Sequence, residues 1–288
     1  MPVITWKLPP AADAPALEEV ALPPGLGTLD AVSVCLPAGA YTTFRTFRGD
    51  WVLELAGHLE RLQETARLAG CPLQLASSQV RQALRWVVAV FPGQVAGAQG
   101  DLRLRLTLDL EQAPGTLYIS AEPLLIPPPE AYTAGVRLVT VPLQRQNPKA
   151  KLTGFIAQAG AARQALPEGV HEGLLVDTAG YLLEGLSSNF FAVRDGVLFT
   201  AEEGVLDGLT RRLTLACAAE LNISILREPL QRTDLHTIDE AFITSSSRGI
   251  LPVCAIDAIH LRQACPGELT SRLARAYAEA VDRRLEKI

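Results

Sequence analysis

Four lysines stand among 26 basic residues of the chain: Lys7, Lys149, Lys151 and Lys287. The other basic residues are arginines, whose guanidinium stays protonated and cannot act as a nucleophilic amine. Chemistry that needs an amine therefore has few candidates. Two of them lie two residues apart in Asn147-Pro148-Lys149-Ala150-Lys151. A lysine attacks a carbonyl only when neutral, in a site that lowers its proton affinity. Lys151 suits this better than Lys149, because it lies at the join of loop and helix beside apolar Leu152 and Phe155. The plain alternative is a solvated loop. Glu184 follows Tyr181-Leu182-Leu183 and precedes Gly185. It is either a strand end in water or a buried acid, and a buried acid requires a cationic partner.

Three further segments could bind ligands. Leu206-Asp207-Gly208-Leu209-Thr210-Arg211 places a glycine before a helix start, where unpaired N–H groups can meet an anion and Thr210 can add a hydroxyl. Thr244-Ser245-Ser246-Ser247-Arg248-Gly249 sets hydroxyls directly after an apolar run. His58-Leu59-Glu60-Arg61-Leu62 offers Arg61 as an anion ligand on a helix.

These groups need elements to hold them. Residues 1–28 read as a Pro/Ala-rich lead-in with one strand at Val3–Trp6. Alternation predicts strands at Ala31–Cys35 and Tyr41–Phe47, and a hairpin from the latter into Trp51–Glu54. Helical spacing runs over His58–Leu68, and a second helix over Ser77–Val90 has Ser77 or Ser78 as its cap. Leu102–Leu110 alternates strictly and pairs with Thr116–Ala121. Pro127-Pro128-Pro129 marks a linker over 127–134, dividing a domain at 1–126 from one at 135–288. The second half reads as strands at Val136–Val141, Gly173–Asp177, Tyr181–Glu184, Asn189–Arg194, Val197–Thr200 and Ala241–Thr244. Its helices are Thr153–Leu166, Thr210–Leu221 and Glu268–Leu285. The fold class is α+β in two domains.

Composition narrows the function. The chain has 288 residues, 48% apolar, with a formal charge of −5, which gives no electrostatic case for nucleic acid. No apolar run is long enough to span a membrane, and no basic-then-apolar leader opens the chain. Five scattered cysteines without paired spacing favour a reducing, cytoplasmic setting over a disulfide framework, and no histidine pattern suggests a metal site.

The order and spacing of these segments resemble the class IV (fold-type IV) pyridoxal-phosphate enzymes, over about Gly39 to Asp257. The run Glu172-Gly173-Leu174-Leu175-Val176-Asp177-Thr178-Ala179-Gly180-Tyr181-Leu182-Leu183-Glu184-Gly185-Leu186-Ser187-Ser188-Asn189-Phe190-Phe191 is similar to the family's E-x-L-x-x-D-x-x-G-x-x-x-E-G-x-x-S-N-x-F pattern. The resemblance implies a D-amino-acid aminotransferase-like fold, pyridoxal 5'-phosphate as cofactor and a cytoplasmic homodimer acting on a small amino substrate. It implies Lys151 as the Schiff-base lysine and proton shuttle, and Glu184 as partner of the pyridine nitrogen. It implies phosphate contacts from Arg61, the N–H groups of Leu209 and Thr210, and Ser246, with Ser245 beside the cofactor. Tyr41, Thr43, Arg45, Ser247 and Arg248 would meet substrate. Gly39-Ala40-Tyr41-Thr42-Thr43, Ser246-Ser247-Arg248-Gly249-Ile250-Leu251-Pro252-Val253 and the Lys151–Glu184 spacing look most like aminodeoxychorismate lyases, which release pyruvate and 4-aminobenzoate. A branched-chain or D-amino-acid aminotransferase uses the same residues. A non-catalytic ligand-binding homologue is the reading from another class. Phe155 stands where many transaminases carry a tyrosine.

Overall fold

The computed structural model describes residues 3–10, 17–95 and 100–288; residues 11–16 of the Pro/Ala-rich lead-in lie outside the described residues. The chain forms two compact units. One comprises Met1–Leu125, Ala150–Gln158 and Arg284–Ile288, the other Ile126–Lys149 and Ala159–Arg283. This differs from one cut at the triple proline. Two later segments return to the first unit because their backbones hydrogen-bond into its sheet.

The first unit contains β1 (Ile4–Leu8), β2 (Glu18–Glu19), α1 (Leu29–Ser33), β3 (Gly39–Phe47), β4 (Trp51–Leu53), α2 (Leu55–Leu68), α3 (Ser77–Gln94), β5 (Leu102–Asp109) and β6 (Leu117–Pro123). The chain's last strand, β16 (Leu285–Lys287), joins them. Together they make a seven-stranded sheet in the order β16-β4-β3-β5-β6-β1-β2. The two-residue period of a strand sorts its faces. Ala40, Thr42 and Phe44 of β3 lie opposite Leu108, Leu106 and Leu104 of β5. The apolar members join Leu59 and Leu62 of α2 and Leu84 and Val87 of α3 in one core. Tyr41, Thr43 and Arg45 therefore fall on the other face, opposite Thr107, Arg105 and Arg103.

Two expectations are corrected here. Residues Ala31–Cys35 are not a strand. Leu29–Ser33 is a short helix: Thr28 Oγ1 accepts the N–H of Ala31 at 3.2 Å, and Leu29 and Val32 bury one side. An apolar alternation of four residues fits one helical turn equally well. The strand expected at Val3–Trp6 is present as β1, all five residues of which pair with β6, and Trp6 is fully buried. Helix α3 starts without a serine side-chain cap and continues through Pro92, with Phe91 buried in the core.

The second unit contains α4 (Pro129–Thr133), β7 (Val136–Val141), β8 (Glu172–Val176), β9 (Leu182–Gly185), β10 (Asn189–Arg194), β11 (Val197–Phe199), α6 (Leu209–Glu220), β12 (Ile225–Leu226), a 3-10 turn (Arg232–Thr237), β13 (Glu240–Ser245), β14 (Gly249–Ile256), β15 (Ile259–His260) and most of α7 (Glu268–Arg284). Helix α5 (Gly154–Gln164) begins among residues of the first unit and ends among those of the second. Strands β10, β13, β14, β7, β8 and β9 are hydrogen-bonded in that order, and β9 returns to β10 through Glu184 and Asn189. The sheet thus closes on itself like a barrel. Gly249 and Pro252 hide β14 in the sequence by reading as breakers. Pro252 sits opposite Phe242 and ahead of Val253, where the β7 ladder begins.

Among the described residues no helix is long and apolar enough to cross a membrane, and no group of three or more His, Cys, Asp or Glu side chains could hold a metal ion.

Candidate active site

The polar face of the first unit carries Lys151. Its main chain is fastened at several points: its carbonyl accepts the N–H of Tyr41 at 2.9 Å, and its N–H donates to Thr65 Oγ1 at 3.3 Å. Thr153 N–H reaches Gly39 O at 2.9 Å, and Gly39 N–H returns to Thr153 Oγ1 at 3.0 Å. The amine then stands 4.7 Å over the ring of Tyr41. Lys149 behaves differently. It is exposed, and its amine donates to Glu202 O at 3.2 Å and pairs with Glu203 at 3.4 Å.

Sequence reasoning missed Arg105, which shares this face. Its guanidinium lies 5.0 Å over the Tyr41 ring, donates to Thr43 Oγ1 at 3.0 Å and to Ser33 Oγ at 2.7 Å, and pairs with Asp30 at 2.8 Å. Only pairing of β5 with β3 reveals it. Arg45 is held by Asp101 at 3.1 Å and lies over Phe47. Behind the sheet His58 of α2 bonds Thr42 Oγ1 at 2.6 Å. Burial, followed by the charges of Arg61 and Lys151, holds His58 well below its ordinary pKa, so the imidazole is neutral near pH 7.

In the second unit Glu184 sits where the barrel closes, 1% exposed. Its Oε1 accepts Arg145 Nε at 2.6 Å, and its Oε2 accepts Asn189 Nδ2 and Leu206 N–H, each at 3.1 Å. The cationic partner that a buried Glu184 requires is thus present within the protein as Arg145, itself buried. Arg145 looks like any loop arginine in sequence, and its role shows only in the fold.

Gly208 precedes α6 and gives it no side-chain cap. A methyl at Gly208 would overlap Asn189 Oδ1, so only glycine lets the helix start this close to the Glu184 cluster. The first-turn N–H groups of Leu209 and Thr210 have no carbonyl one turn back to bond. The Thr210 hydroxyl is buried and has no hydrogen-bond partner. An orphaned hydroxyl beside a helix N-terminus is a donor set suited to a phosphate.

The serine turn after β13 is braced from one side. Arg248 donates to Ser245 Oγ at 2.9 Å and Ser187 Oγ at 3.1 Å, touches His171 Nε2 at 3.0 Å and pairs with Glu172 at 3.0 Å. Glu172 in turn accepts both the N–H and the hydroxyl of Ser187, and the hydroxyl of Ser188. Burial works against the Glu172 charge, but Arg248 and the Ser187 hydrogen bonds outweigh it and hold the carboxyl below its ordinary pKa. Arg248 therefore ties two serine loops together rather than presenting a free guanidinium to substrate. Ser246 and Ser247 are half-buried in the same turn, and Arg61 is half-buried on α2.

The model of the family described as Amino-transferase class IV matches residues 39–256, and the chain belongs to that family. A relative from Methanocaldococcus jannaschii, named provisionally a branched-chain-amino-acid aminotransferase, is 34% identical over 171 residues; the match spans 57% of this chain and 58% of the relative. The branched-chain-amino-acid aminotransferase of Escherichia coli (strain K12) is 26% identical over 255 residues, 81% of this chain and 80% of that protein. In fold, the chain is similar to the branched-chain amino acid aminotransferase from T.th. solved with pyridoxamine 5'-phosphate: TM-score 0.75, 23% identity, 99% of this chain and 98% of that one.

Proposed function

We propose that the protein is a pyridoxal-phosphate-dependent aminotransferase that moves the amine of a branched-chain amino acid to a 2-oxo acid. The observation that carries the cofactor is the buried, unpartnered Thr210 hydroxyl at the start of α6, which a bound phosphate would satisfy. The names of the relatives support amine transfer, and they shift the reading away from the lyase expected from the Gly39–Thr43 and Ser246–Val253 motifs.

When bound, pyridoxal phosphate supplies an electron sink for the pair left at the amino acid's α-carbon. Lys151 would hold it through the amine and carry the proton to and from the reacting carbons, with its backbone pinned to β3. Glu184 would meet the ring nitrogen, its carboxylate held in place by Arg145, Asn189 and Leu206. Arg61, the N–H groups of Leu209 and Thr210, the Thr210 hydroxyl and Ser246 would hold the phosphate, with Ser245 beside the cofactor. Tyr41, Thr43 and Ser247 line the substrate's place, and Arg45 and Arg248 position their neighbours through Asp101 and Glu172. The active form is a homodimer in the cytoplasm.

Two measurements test this. Borohydride reduction of the cofactor-loaded protein, followed by peptide mapping, should label Lys151; a label at Lys149 overturns the assignment. Amine transfer from leucine or valine should require a 2-oxo acid. Pyruvate and 4-aminobenzoate formed from aminodeoxychorismate without an acceptor would restore the lyase.

A further inference from the structure

Two cysteines that the amine-transfer reading does not use converge in the second unit. Cys254 lies on β14, the β14–β15 hairpin pairs Ala255 with His260, and Leu261 N–H returns to Cys254 O at 3.1 Å. The chain then runs back along β14 so that Cys265 reaches the same place. Gly135, at the entry to β7, marks the spot. A methyl group built there would overlap Cys265 Sγ and come within 3.1 Å of Cys254 Cβ and 3.0 Å of its nitrogen. Gly135 also has φ of +76°, a conformation side chains rarely adopt. The volume a side chain would fill is thus taken by the Cys265 sulfur, set against the backbone nitrogen and Cβ of Cys254. Cys254 Sγ lies 3.5 Å from Val136 O, the next residue. Both cysteines are free and partly exposed. The segment after Cys265 is fixed, because Glu240 accepts the N–H groups of Leu269 and Thr270 at 3.0 and 2.7 Å and fills the space beside Gly267.

We propose that Cys254 and Cys265 form a reversible redox-modification site, closing to an intrachain disulfide when the protein meets a low-molecular-weight disulfide. The Cys254 thiolate attacks one sulfur of the oxidant, forming a mixed disulfide and releasing one small thiol. Cys265 then gives up its proton and attacks Cys254 Sγ, and the second small thiol leaves. Two protein thiols are oxidised and one external disulfide is reduced to two thiols. The order follows from the surroundings: burial, then the neighbouring Cys254 and Glu240 charges, pushes the Cys265 thiol up to about 11, so it is the slower first nucleophile. This site is independent of the amine-transfer reading.

The test treats the full-length protein with oxidised glutathione, blocks remaining thiols, and maps tryptic peptides without reduction. The expected product joins the peptide of residues 249–262 to that of residues 263–272, two hydrogens lighter than their sum, and disappears with dithiothreitol. The melting midpoint should rise by about 5 °C on oxidation and fall back on reduction. Cys254→Ser and Cys265→Ser should each abolish both the linked peptide and the shift, and Gly135→Ala should suppress the link by separating the sulfurs. Glutathione adducts on Cys254 or Cys265 without the linked peptide, or a link to Cys35, Cys71 or Cys217, would overturn the proposal.

Discussion

Lys151 and Glu184 are held in opposite ways. Around Lys151 the main chain is tied to Tyr41 and Thr65, and the amine stands over the Tyr41 ring. Around Glu184 the ties run through the carboxylate itself, to Arg145, Asn189 and Leu206. On the proposed function, this difference would follow from their tasks. A group that shuttles protons needs a fixed base and a movable tip, whereas a group that must keep its charge needs that charge surrounded by donors.

The sharpest break between the two is activity against stability. Lys151→Ala should lower amine transfer by about four orders of magnitude or more, while its urea-unfolding free energy changes by less than about 1 kcal/mol; Lys149→Ala should leave the rate near wild type. Arg145→Met, which leaves Glu184 buried without its cation, should cost about 3–5 kcal/mol in the same unfolding experiment. If Lys151→Ala proves as destabilising as Arg145→Met, the contrast fails.

Thr210→Val tests the phosphate reading with effects of opposite sign. Removing a buried, unsatisfied hydroxyl should stabilise the cofactor-free protein by about 1 kcal/mol. Loss of a charge-assisted hydrogen bond should weaken cofactor affinity about tenfold in a fluorescence titration. A destabilised cofactor-free variant would show that the hydroxyl has a structural partner.

The smallest effect is in pH dependence. His58 is a base whose pKa folding depresses, so between its unfolded value of 6.5 and the lower folded value the unfolded chain binds more protons. Its share of stability is complete above 6.5 and is lost as pH falls below it. Glu172, an acid depressed from 4.5, keeps its share above 4.5 and loses it as pH falls through the lower folded value. Unfolding midpoints should therefore begin to drop below about pH 6.5, with a second loss under about 4.5. His58→Gln should flatten the first slope alone; an unchanged slope would mean that other groups titrate there.

The sequence was most legible where one period dominates. Val136–Val141 and Asn189–Arg194 read correctly to the residue, because their apolar residues end at clear turns, Pro142 after the first and Asp195-Gly196 after the second. Leu29–Ser33 misled because four alternating residues fit a strand and a capped turn alike. At the site, lysine scarcity and the Glu184 motif point to individual residues, but Arg145 and Arg105 do not stand out among the arginines. Their importance comes from burial against Glu184 and from strand register, which are properties of the folded chain.

The returning strand β16 has a consequence for folding order. Leu285 pairs with Leu53, and Ile288 N–H bonds Asp50 O at 3.0 Å. On the ribosome, the first unit begins at β1 yet cannot complete its sheet until β16 has emerged. The second unit's barrel lies wholly between those partners in sequence, so it can finish before the first unit does. The unit begun first is the last to close.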